Sequence, residues 1–107
     1  MSRKLRESAI NWMKKNPQAL TLLTNEAALL MQRRYRFSIQ FLVERVRWVH
    51  DIALNCDDPF KICNSYTAYI SRYLLRELPG VEDWLTFKLT KEEIAQGHTT
   101  PQPLEDI

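Results

Sequence analysis

With Gly80 and Gly97 as its only glycines, the 107-residue chain has no glycine-rich loop whose backbone amides would cradle a phosphate. Cysteine is equally scarce. Cys56 and Cys63 stand close together with no third partner, which argues against a disulfide framework and for reduced thiols. No apolar run approaches the roughly 18 residues of a membrane span. The basic start "MSRKLR" runs into the amphipathic "ESAINWMKK", not into the purely apolar stretch of a signal peptide. The expectation is a cytoplasmic protein with no membrane partner. Histidine is limited to His50, on the apolar stripe of a helix where a hydrogen-bonded core role outweighs that of a general base, and His98, near the C-terminus. Cys56, Asp57, Asp58 and Cys63 match no zinc spacing. With no nucleophile beside a base, no metal cluster and no cofactor motif, the sequence points away from an enzyme.

What is present suits one ordinary core. Apolar residues make up 45% and charged residues 26%, near the average for a globular chain, so one domain is expected. The net charge of +2 hides an asymmetry. Residues 1–50 hold ten Lys/Arg against Glu7, Glu26 and Glu44, giving +7, and residues 51–107 hold five against ten carboxylates, giving −5. A basic end of this kind suits a polyanion, an acidic protein surface, or simply an unevenly charged exterior.

Periodicity divides residues 1–90 into four helices, followed by a polar, mobile tail over 91–107. The first helix covers 3–15, with Leu5, Ala9, Trp12 and Met13 on one face. Asn16-Pro17 ends it and caps the second, which runs to Arg34 with a main stripe of Leu20, Leu23, Ala27, Leu30 and Met31. Leu22 and Leu29 form a second, narrow stripe. Ser38 caps the third helix, with Phe37 and Leu42 placed as a hydrophobic staple. Ile39, Leu42, Val43, Val46, Val49 and Ala53 form its core side, and Phe41 and Trp48 make the opposite side apolar too, which places this helix in the middle of the fold. A loop over 54–63 follows. Phe60–Ile62 and Leu85–Leu89 alternate apolar and polar and would pair as a two-stranded hairpin resting on the helices.

The fourth helix, 65–78, is capped by Asn64 or Ser65 and stopped by Pro79-Gly80. Steps of 100° put Tyr66, Ile70, Tyr73, Leu74 and Leu78 toward the core and Ala68, Tyr69, Arg72 and Arg76 outward, with Asn64, Ser65 and Thr67 at the N-terminal end. Such a face meets the needs of a major-groove helix, although tyrosines and arginines on a half-exposed helix also serve to cover a core. The order of elements gives a mainly α, compact four-helix domain, in its most specific form a winged helix-turn-helix variant. Double-stranded DNA is then the favoured partner, with Arg33, Arg34, Arg36 and Lys61 as flanking phosphate contacts.

"RYRFSIQFLVERVRW" followed by "FKICNSYTAYISRYLLRELPGVEDWLTFK" resembles a group of small uncharacterised proteins of bacteriophages, prophages and bacterial genomes, over residues 35–88. The shared pattern is Ser38 through Arg47-Trp48, Phe60-Lys61-Ile62, Tyr66 to Tyr69, Arg72, Pro79, Trp84 and Phe87. Cys63 and Ser65 stand where the group has asparagines, leaving Asn64 alone. The resemblance implies a phage or mobile-element setting in a bacterial host cell and no mechanism. That setting opens the alternative to DNA binding: a non-catalytic inhibitor of a host protein, such as a defence nuclease of the CRISPR or restriction type. Its interface would be the surplus apolar residues Leu22, Leu29, Phe41 and Trp48, which would serve equally to bury one helix between others or as a homodimer seam.

Overall fold

The computed structural model describes residues 2–50 and 66–105, with the backbone alone for Ser2, Arg3, Val49 and His50. Five α-helices lie among the described residues: α1 (Ser2–Lys15), α2 (Pro17–Gln32), α3 (Ile39–His50), α4 (Thr67–Glu77) and the short α5 (Lys91–Ala95), with a 3-10 turn at Val81–Asp83 between the last two. The architecture is mainly α. No described helix is long and apolar enough to cross a membrane.

The first three helices follow their sequence signals. Ala9, Met13, Leu20, Leu23, Ala27, Leu30, Leu42, Val43 and Val46 enter one core with Ile70 and Leu74 of α4. Each fully buried aliphatic side chain of this set contributes about 1.5–3 kcal/mol relative to exposure. Ser38 caps α3 by accepting from the Phe41 N–H at 3.1 Å, and Phe37 and Leu42 are both buried, as a staple requires. Asn16 behaves differently from a helix-start cap. Its side chain makes no cap bond to α2 and instead donates to the Trp12 carbonyl at 2.8 Å, closing the end of α1.

Two expectations about layering are corrected. The helix surrounded by protein is α4, not α3: α4 packs on α1, α3 and the 3-10 turn, and buries Thr67, Tyr69, Ile70, Ser71, Arg72 and Leu74. On α3, Phe41 and Trp48 are 50% and 88% exposed, so this helix buries a single face. The hairpin wing is also absent among the described residues. Leu85–Leu89 carries no ladder, because Leu85 instead makes a lone parallel bridge to Phe37, with Phe37 N donating to the Trp84 carbonyl at 2.8 Å and Thr86 N to the Phe37 carbonyl at 3.0 Å. The expected partner strand at 60–62 lies outside the described residues, as does the rest of the 54–63 loop. Without a wing, the winged helix-turn-helix form has no support.

Residues 91–105 are not a free tail. They form α5 and fold back on α4, burying Leu104 at 2% exposure and joining Leu104 N to the Arg72 carbonyl at 3.2 Å. Five residues are too few to hold an isolated helix. Thr90 and Glu93 hold this one with a capping box, in which Glu93 N donates to Thr90 Oγ1 and Thr90 N to Glu93 Oε1.

Candidate functional site

Two groups of arginines dominate the chemistry of the described surface and interior. The first is the clamp around Arg72. Its guanidinium forks onto Glu93, Nε to Oε2 at 3.2 Å and Nη2 to Oε1 at 2.6 Å, while Nη2 also reaches the Lys88 carbonyl and Nη1 the Ser71 hydroxyl and Ala68 carbonyl. The Phe87 ring lies under it at 5.4 Å. All of the Arg72 nitrogens are thus engaged within the protein. Glu93 also accepts from the Thr90 and Gln102 amides. Burial alone would raise the Glu93 pKa, but hydrogen bonds from Arg72, Thr90 and Gln102 outweigh it and hold the carboxyl down at about 2. Beside the clamp opens a cleft of about 710 Å³ that includes Arg6, Tyr69, Glu92, His98 and Gln102 in its lining. Burial and the nearby Glu92 raise the Tyr69 phenol above its ordinary value.

This clamp overturns the assignment of Arg72, Tyr69 and Thr67 as DNA contacts. They are 6%, 8% and 7% exposed, and the returning C-terminal segment lies over the Arg72 part of the arc that helical spacing left facing solvent. Arg76 is half-buried and internally engaged as well, stacked 5.3 Å over Tyr73 and bonded to Glu77 and the Leu104 carbonyl. Asn64, Ser65 and Lys61 lie outside the described residues. The short helix that carries Glu93, though not its pairing with Arg72, had a readable sign in the sequence that periodicity passed over: Thr90 and Glu93 form the Thr-x-x-Glu pattern of a capping box.

The second group is the turn between α2 and α3. Arg33, Arg34, Tyr35 and Arg36 are all exposed, and none of the three arginines pairs with a described carboxylate. The turn closes α2 as a Schellman motif: Tyr35 N donates to the Leu30 carbonyl at 2.9 Å and Arg34 N to the Met31 carbonyl at 3.0 Å. Arg34 occupies the left-handed position of that motif, with φ of 60°, where glycine is the usual residue. A side chain in this conformation costs about 1–2 kcal/mol. The structure thus carries a charged side chain where the backbone would favour none.

A third feature lies on the α2–α3 pair. Arg45 Nε meets Glu26 Oε2 at 2.7 Å, and the two residues lie equally far from the connecting turn. Helical spacing puts Leu22 and Leu29 one turn to either side of Glu26, and Phe41 and Trp48 one turn to either side of Arg45. Leu22 and Leu29 are half-buried, with Leu22 against the core, so the exposed apolar surface here is mainly Phe41 and Trp48. Among the described residues, no group of three or more His, Cys, Asp or Glu is placed to hold a metal ion.

Comparison with protein-family models, curated proteins and solved structures gave no match.

Proposed function

We propose that the chain is a non-catalytic nucleic-acid-binding protein whose contact surface is the Arg33–Arg36 turn, acting as a regulatory or accessory factor in the phage or mobile-element setting that the sequence resemblance implies. The observation that carries this reading is the contrast in arginine use. The arginines of α4 are engaged by the protein itself, whereas three neighbouring arginines on one short turn are exposed and without a described carboxylate partner. Guanidinium groups so placed suit phosphate oxygens, which they meet in fork geometry. The turn would hold nucleic acid by phosphate contact, and α4 would take no part in groove reading.

The test is binding of the full chain to a mixed DNA pool at two salt concentrations, beside the variant Arg33→Ala/Arg34→Gly/Arg36→Ala. Removing one arginine–phosphate pair should flatten the log–log salt slope by about 0.9 on duplex DNA. A slope shallower by about 2–3 with a much weaker affinity is expected. Equal affinity and slope for the two proteins would remove the turn from the site.

The exposed Phe41 and Trp48 favour a second reading, a host-protein inhibitor docking through these rings with Leu22 and Leu29 at its margin. Phe41→Glu or Trp48→Glu should then abolish capture of a partner without lowering the melting temperature. A self-associating chain that becomes monomeric in these variants would instead make the surface a homodimer seam.

A further inference from the structure

We infer that the nucleic acid taken at the Arg33–Arg36 turn is single-stranded, with an unpaired base stacked on Tyr35. This rests on the proposed function and names its ligand class. The most base-reading helix in the sequence, α4, is enclosed, with Thr67, Ser71 and Arg72 buried. The exposed side of α3 offers Gln40, Phe41, Glu44 and Trp48, with Arg47 tied to Glu44 at 3.0 Å, an aromatic surface of little uncompensated charge for a groove lined by phosphates.

The turn has a different character. Its order is Arg-Arg-Tyr-Arg, and the Tyr35 ring is 62% exposed amid the three cationic side chains. A core has no use for a ring held in that position. A single strand offers both complements at once: phosphates for the guanidinium groups, and bases whose faces are free to stack on an aromatic ring. A duplex keeps its base faces stacked within and presents the ring with backbone and base edges only. A second exposed ring, Phe41, follows six positions on, within at most about 22 Å of chain. Both rings are therefore within reach of one short strand.

Charge and stacking separate in experiment. By charge density alone the turn would favour the duplex, so preference for a single strand reports the ring. The full-length protein would be titrated with a labelled oligothymidylate, with a duplex of the same length, and with inorganic polyphosphate as a charge-only competitor. The expected result is tighter binding of the single strand than of the duplex, and weak competition by polyphosphate. Tyr35→Ala should weaken single-strand binding by about ten-fold or more with its salt slope unchanged, while Tyr35→Phe retains it. Single-strand affinity unaltered by Tyr35→Ala, a preference for the duplex, or full competition by polyphosphate would overturn the inference. If the triple arginine variant fails to bind while Tyr35→Ala binds normally, the strand assignment falls and the turn remains the site. If the wild-type chain binds no nucleic acid even at low salt, both readings fall together.

Discussion

Arg72 and Arg34 carry the same guanidinium and sit in opposite surroundings. Arg72 is enclosed, forked onto Glu93 and capped by the Lys88 carbonyl, so its charge is consumed in joining α4 to the C-terminal segment. Arg34 stands at a turn, exposed, on a backbone conformation that disfavours any side chain. The contrast teaches that an arginine's role is fixed by whether the chain returns to supply it with a carboxylate and carbonyls. In one region it does, and the arginine becomes architecture. In the other the arginines stay exposed, with no described carboxylate partner.

The comparison breaks most visibly at the clamp. Glu93→Ala leaves the Arg72 charge buried without its partner and should destabilise the fold by about 3–5 kcal/mol, measured by urea unfolding. Replacing both members, Arg72→Met with Glu93→Leu, should cost clearly less than the single change, because no unpaired charge is left inside. A loss equal to that of Glu93→Ala would mean that the charges themselves are not the source of the penalty.

Acid probes the same carboxylate. Since Glu93 is held at about 2, below the ordinary carboxylate value of 4.5, the folded state releases its proton more readily than the unfolded state. Its stabilising contribution is therefore complete above about pH 4.5 and is lost as pH falls from there toward about 2. Glu93→Gln should remove that part of the pH dependence; a wild-type stability curve that already declines between pH 7 and pH 5 would have to arise from other groups.

Leu104 comes next. It is the apolar anchor of the returning segment, and Leu104→Ala should lower stability by about 2–4 kcal/mol and speed amide exchange in α5. If exchange in α5 is unaffected, the segment is held by the clamp alone.

The sequence makes α1, α2 and α3 readable because each is bounded by local chemistry: Asn16-Pro17 between the first two, and Phe37-Ser38 before the third. Burial of α4 is not readable in the same way. Counting at 100° per residue assigns faces within one helix and assumes that a polar arc meets water. Here the arc of Tyr69 and Arg72 meets Glu93, 21 positions beyond Arg72 along the chain, in a stretch whose composition suggests a tail. The hairpin finds no support among the described residues for a related reason: alternation at 85–89 signals an extended chain but not its neighbour, and Leu85 pairs with Phe37. The turn arginines are legible as a basic cluster, whereas the left-handed backbone at Arg34 has no sequence sign, since glycine is missing from the position that would normally announce it.

Arg34→Gly tests the central contrast in a single residue. The substitution relieves the left-handed backbone and removes one cation, so equilibrium unfolding should show a gain of about 0.5–1 kcal/mol while affinity for a short nucleic acid at low salt declines. Increased stability with reduced binding is the expected outcome. Unchanged binding, with or without the gain in stability, would contradict the assignment of this turn as the contact surface.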